Sequence, residues 1–231
     1  MKTIGLIGGM SWESTQEYYR IINETVKEML GGFHSAKIIM YSVNFEEIEK
    51  LQRQGRWRDL TNLMIDAAQR IEKGGADFVV ICTNTMHKMA DEVQKNIKIP
   101  LLHIADITAE KVKEKGLTKI GLLGTKFTME EDFYKGRLAE KYGLDVIIPN
   151  EKERKIVHDV IFNELCLGEI KQPSKDQFKK IIQNLVMEGA EGIILGCTEI
   201  PLLVKQEDFE VPLFDTTLVH AKAAVEYAIK K

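Results

Sequence analysis

Gly75-Ala76-Asp77-Phe78-Val79-Val80-Ile81-Cys82-Thr83-Asn84-Thr85 comes back later in the chain as Gly189-Ala190-Glu191-Gly192-Ile193-Ile194-Leu195-Gly196-Cys197-Thr198-Glu199. Each copy is an apolar run that ends in small, hydrogen-bonding residues. Two further pairs flank it. Ile4-Gly5-Leu6-Ile7-Gly8 recurs as Ile120-Gly121-Leu122-Leu123-Gly124, and Ile99-Pro100-Leu101-Leu102 as Val211-Pro212-Leu213-Phe214. The three pairs keep their order and are offset by about half the chain, as a duplicated unit would be.

Working outward from these runs, short apolar segments alternate with helical stretches almost from end to end. Strands are predicted at 3–7, 37–43, 77–82, 100–104, 119–123, 144–148, 191–196 and 211–214. Most are nearly continuous in apolar residues, the pattern of parallel strands buried on both faces. Ser14 with Glu17, Asn44 with Glu47, Thr128 with Glu131 and Ser174 with Gln177 read as capping boxes at helix starts. Gly31-Gly32, Gly74-Gly75, Gly143 and Gly189 read as stops. The expected fold is therefore α/β, with two pseudo-symmetric lobes, each a parallel sheet flanked by helices. The active site is expected in the cleft between the lobes. No linker marks a boundary, so the repeat alone divides the chain. It gives a first lobe of residues 1–100 plus 212–231 and a second of 101–211.

Composition narrows the class. The 231 residues are enough for two lobes, and 44% hydrophobic with 29% charged residues is the balance of an ordinary globule. A net charge of −3 gives no reason to expect nucleic acid or an anionic membrane as partner. No apolar run approaches the roughly 18 residues of a membrane span, and the N-terminus does not read as a signal peptide. Cys82, Cys166 and Cys197 are odd in number and widely spaced, which suits a reducing cytoplasm better than a disulfide framework. His34, His87, His103, His158 and His220 show no metal-ligand spacing, so no metal is expected.

Parallel sheets place ligands at the carboxyl ends of their strands. Gly8-Gly9-Met10, Thr83-Asn84-Thr85, Gly124-Thr125 and Cys197-Thr198-Glu199 all follow strands of matched pairs. Cys197 is the candidate acid/base or nucleophile, since a thiol titrates at about 8.5 and a helix N-terminus can lower that toward neutrality. Thr83 is its counterpart by the repeat, suited to relaying a proton but not to abstracting one. Cys82, one residue earlier, falls on the opposite face of the strand and reads as core. Asn84, Thr85, Thr125 and Thr198, with backbone N–H groups at helix starts, form a candidate carboxylate cradle, although each alone is more often a cap. Arg53 beside Gln52 offers a fork for a second carboxylate, against a slightly favoured reading as a solvated helix-end charge. Cys166, among Ile161, Phe162, Leu165 and Leu167, reads as packing on an apolar helix face.

Gly8-Gly9-Met10 with Ser11 to Thr15, Asn84-Thr85 after the third strand and Gly196-Cys197-Thr198-Glu199 after the seventh resemble the aspartate/glutamate racemase family over essentially the whole chain. The resemblance implies a cofactor-independent enzyme, commonly a homodimer, acting on a small acidic amino acid. It implies two cysteines flanking the substrate α-carbon. The second is Cys197; the first falls on Thr83, and that is the departure from the family pattern. By the same resemblance Asn84, Thr85 and Thr198 bind the α-carboxylate, Met10, Gln52 and Glu199 belong to the substrate site, and Arg53 matches the arginine on the distal carboxylate. A basic residue of some relatives falls on Cys166.

These residues lead to an expected reaction. Cys197 removes the α-hydrogen, Thr83 or a water returns a proton on the opposite face, and preorganised donors stabilise the enolate. With a single general base the two enantiomers are expected to react unequally. Because the resemblance implies that the second-half cysteine serves the L-enantiomer, L-aspartate or L-glutamate is expected to be the better substrate. Two alternatives remain open at this level: decarboxylation or isomerisation of another small dicarboxylic acid, and a protein that binds an acidic amino acid without turning it over.

Overall fold

A computed structural model describes residues 1–230. All eight predicted strands form, each within a few residues of its expected place: β1 (Ile4–Gly8), β2 (Ile38–Ser42), β3 (Phe78–Ile81), β4 (Leu101–Leu102), β5 (Lys119–Gly124), β6 (Asp145–Ile147), β7 (Ile193–Gly196) and β8 (Leu213–Asp215). They build two four-stranded sheets, ordered β2-β1-β3-β4 and β6-β5-β7-β8, and every pairing is parallel. The strand order of the second sheet repeats that of the first. Central strands β1, β3 and β7 are buried throughout and β5 nearly so, whereas edge strands β2 and β6 are largely half-buried or exposed.

The chain divides into two compact units, Met1–His103 with the segment from His220 onward, and Ile104–Val219. Both boundaries fall later than the 100/101 and 211/212 expected from sequence. Hydrogen bonding decides this. Leu101 and Leu102 complete the first sheet against Val79 and Val80, and Leu213 to Asp215 complete the second against Ile193 to Leu195. A closing proline-led strand belongs with its own sheet; the repeat had assigned it to the next lobe.

In the first unit, α1 (Trp12–Leu30) covers one face of the sheet and α2 (Phe45–Arg53), α3 (Trp57–Lys73) and α4 (Ala90–Lys95) the other. In the second, α5 (Ile104–Glu114) and α7 (Lys135–Tyr142) cover one face; α6 (Lys126–Glu130), α8 (Glu151–Asn163), α9 (Gln172–Met187) and α10 (Ile200–Leu203) cover the other. The last helix, α11 (Thr216–Ile229), lays Ala221, Ala224, Val225 and Ala228 against Tyr18, Ile22 and Phe78 of the first unit. The repeated Ile-Gly motif has a packing cause. A Cβ on Gly5 would run into Ile71 of α3 and stand 2.9 Å from the Phe78 carbonyl. One on Gly121 would meet Ile193 at 2.5 Å and Leu185 of α9 at 3.1 Å. Each glycine lets a helix close on a central strand.

Helix stops fall where expected, with Gly31, Gly74 and Gly143 as C-caps and Gly189 directly after the C-cap of α9. The starts differ. Asn44 caps α2, its side chain accepting from Glu46 N and donating to Glu47. Ser11 rather than Ser14 caps α1, and Thr125 rather than Thr128 caps α6, because each helix begins almost at the end of its strand and the earlier hydroxyl reaches the open N–H groups first. α9 starts at Gln172 with Pro173 in its first turn, and Ser174 donates to Glu164 instead. The full capping box is Asn150 with Glu153, on α8.

Candidate active site

Side-chain alternation on β3 and β7 sets which residues face which layer. Val79 and Ile81 join the α2–α3–α4 layer, while Phe78, Val80 and Cys82 join the α1–α11 layer. Cys82 is thus core, as expected, and burial pushes its thiol far up. On β7, Ile193, Leu195 and Cys197 join the α8–α9–α10 layer and Ile194 the opposite one. Thr83 and Cys197 follow equivalent strands with equivalent parity, Thr83 in register with the residues of the α2–α3–α4 layer and Cys197 in the α6–α8–α9–α10 layer.

The carboxyl end of β3 is a knot of buried polar groups. Asn84 and Thr85 are buried and Thr83 is half-buried at the entry to a 3-10 turn, Thr85–Met89. Asn84 does not cap that turn through its side chain, so the ordinary capping role does not account for it. The Nδ1–H of His87 donates to the Thr83 carbonyl at 2.7 Å, fixing the Thr83 backbone from below. Gln52, buried at the end of α2, donates through Nε2 to Met86 Sδ at 3.2 Å. Met10 and Met86 share one cluster, so the β1 loop, the end of α2 and the β3 loop meet on one side of this unit.

Arg53 does not join them. Its guanidinium is 76% exposed and forks onto Glu49, one turn back on the same helix. The solvated helix-end charge describes this placement.

In the second unit the carboxyl end of β7 carries Cys197, 7% exposed, and Glu199, 2% exposed. Sγ of Cys197 donates to Glu199 Oε2 at 2.9 Å, and the Thr198 hydroxyl donates to the same oxygen at 2.9 Å. Burial first, and then the Glu199 carboxylate, push the Cys197 thiol well above its ordinary value. This reverses the lowering expected from a helix N-terminus. The main physical reason is burial, with the Glu199 carboxylate second, and the four-residue α10 offers only a short dipole against them. Thr125 accepts from Thr128 N at 3.3 Å and so acts as the cap of α6.

Two features escaped the sequence reading. The Glu199 carboxylate is the direct partner of the thiol, although its place two residues along was visible. Cys166 lies on a 3-10 turn, Leu165–Leu167, rather than a helix face; it packs against the cluster that holds Cys197 and bears on its titration. Among the described residues, no group of three His, Cys, Asp or Glu is arranged to hold a metal, and no helix is long and apolar enough to cross a membrane.

Comparison with known proteins adds the chemistry. A family profile described as Asp/Glu/Hydantoin racemase matches residues 7–224. A putative Asp/Glu racemase from Yersinia pestis is 54% identical, with a TM-score of 0.93 and full coverage of both chains. An aspartate racemase homologue from Pyrococcus horikoshii OT3 is 38% identical with a TM-score of 0.86, again over the whole of both chains. A broad-specificity amino-acid racemase from Bacillus subtilis is 24% identical, covering 96% of each chain.

Proposed function

The chain belongs to the Asp/Glu/hydantoin racemase family, and on that footing we propose that it racemises an acidic amino acid, aspartate or glutamate, without pyridoxal phosphate. Cys197 as thiolate takes the α-hydrogen: the C–H bond breaks, S–H forms, and the electron pair passes into an enolate of the α-carboxylate. Thr83, or a water it holds, returns a proton to the opposite face. Asn84, Thr85 and Thr198 bind the α-carboxylate, Met10 and Gln52 contact the substrate, and hydrogen-bond donors stabilise the enolate where its charge develops. The observation that carries this reading is the matched placement of Thr83-Asn84-Thr85 after β3 and Cys197-Thr198-Glu199 after β7, on two sheets of identical strand order.

Thiol and hydroxyl differ in acidity by many units, so α-hydrogen exchange and kcat differ between the enantiomers even though kcat/KM must match. The family resemblance, in which the second-half cysteine serves the L-enantiomer, supports L as the favoured one. Equilibrium in water stays near one, and the asymmetry is kinetic. Family membership also supports a cytoplasmic homodimer. The test of function is α-deuterium incorporation in D2O from L- and D-aspartate and L- and D-glutamate; no incorporation from any of them removes the racemase reading.

A second reading of the substrate range is favoured by Arg53, whose exposed guanidinium pairs with Glu49 instead of packing beside Met10 and Gln52. With no arginine from that position, neutral amino acids become competitors. Alanine and asparagine beside aspartate in the same exchange assay separate the two ranges.

A further inference from the structure

The contact between Cys197 and Glu199 has an electrostatic consequence of its own. Both side chains are buried, and Sγ donates to Oε2 across 2.9 Å while Thr198 donates to the same oxygen. Glu199 does not cap α10 through its side chain, so capping does not account for the carboxylate. Two negative charges this close in a buried site repel strongly, so the Glu199 carboxylate opposes loss of the proton from Cys197. Cys197 belongs to the apolar cluster that also holds Leu195, Phe178 and Ile200, with Cys166 packed against it. Glu199 and Cys166 are the titratable groups that bear on the sulfur, and the charge of each favours the protonated thiol.

We propose that Glu199 is a positioning residue that keeps the proton on Cys197 while the site is empty, so that the free protein carries a thiol and not a thiolate. The consequence for the reaction, which rests on Cys197 being the base, is that the base exists only once the thiol proton has been given up to solvent. Glu199 therefore sets the pH at which the enzyme becomes competent. It also shields the sulfur from electrophiles when no substrate is present, because only a thiolate attacks them efficiently.

The test reads the sulfur directly. Iodoacetamide alkylates the thiolate, forming a C–S bond and releasing iodide, and peptide mass analysis follows Cys197 separately from Cys82 and Cys166. The intact protein is compared with Glu199→Gln and Glu199→Asp from neutral to alkaline pH. Removing the charge lowers the alkylation midpoint of Glu199→Gln by about one pH unit or more. Glu199→Asp keeps the charge and stays near the wild type. The rising limb of α-deuterium exchange moves to lower pH with the Gln midpoint.

An unmoved or raised midpoint in Glu199→Gln overturns the inference, as does an equal shift in both variants, which marks a merely structural role. Should Glu199→Gln fail to fold, a wild-type midpoint at or below the ordinary thiol value of about 8.5 overturns it alone. The two readings fail separately. The Gln shift without exchange from any amino acid supports the proton-holding role and removes the racemase; exchange without the shift does the reverse.

Discussion

His87 holds Thr83 by its backbone: the ring Nδ1–H donates to the Thr83 carbonyl at 2.7 Å from one turn further along the chain. The ring is buried and packs against His103 and His220, with centroids 4.6 Å and 5.8 Å away. The carbonyl has a fixed partner, and the strand-end residue has a fixed direction. His87→Ala is expected to cost about 1–3 kcal/mol of stability by stranding that carbonyl, and to slow α-deuterium exchange more than it raises KM. Urea melts and exchange kinetics measure both; an unchanged exchange rate removes the positioning role.

Thr83 itself gives the most informative substitution. Thr83→Cys puts a second thiol where the first copy of the repeat has a hydroxyl. Exchange from the D-enantiomer is expected to rise by about tenfold or more, since a competent acid/base contributes about 10²–10⁴ in rate. An unaltered D-enantiomer rate contradicts the pairing of Thr83 with Cys197.

Packing at the repeated glycines yields a stability prediction in each unit. Gly5→Ala and Gly121→Ala force Ile71, or Ile193 and Leu185, to give way. Each is expected to cost about 1–3 kcal/mol by overpacking, read as a lower urea midpoint. Neutral behaviour would mean that the helices sit further from the strands than described.

His220 predicts how stability depends on pH. It is fully buried, accepts from the Tyr18 hydroxyl at 2.9 Å through Nδ1 and donates to the Leu102 carbonyl at 2.9 Å through Nε2. Burial lowers its pKa from 6.5 to about 4. A folded value below the unfolded one means that the unfolded chain binds the proton more readily. The stability is therefore fully present above pH 6.5 and is lost as pH falls toward 4, an effect of about 3 kcal/mol. Urea melts across that window should show the loss, and His220→Gln should flatten it; an equal slope in the variant assigns the effect to other groups.

Arg53 is the case in which little should happen. Its exposed pair with Glu49 is the kind that contributes little. Arg53→Ala should leave the melting temperature unchanged and exchange kinetics within about twofold. A large rise in KM for aspartate would return the distal carboxylate to this residue.

How much of this was legible in the sequence depends on the range of the interaction. The duplicated runs carried the α/β fold and six of the eight strands, because two-sided burial leaves a local apolar signature in Phe78–Ile81 and Ile193–Gly196, while edge strands β2 and β6 were legible from their own short apolar runs. Ser14, Thr128 and Ser174 were misread because several hydroxyls compete at each helix start, and tertiary placement, not local pattern, selects the one that caps. The direction of Arg53 is a rotation about one helix axis, invisible to composition. Glu199 stood beside Cys197 in plain view; the size of its effect depended on burial and on a direct 2.9 Å contact, which the sequence does not display.

The central claim, that Cys197 is the sole strong base, is tested most directly by α-deuterium wash-in from L- and D-aspartate in D2O, for the wild type and Cys197→Ser. The account predicts faster incorporation from the L-enantiomer and its loss in the variant. Equally fast incorporation from the D-enantiomer, or exchange that survives the loss of the sulfur, would contradict it.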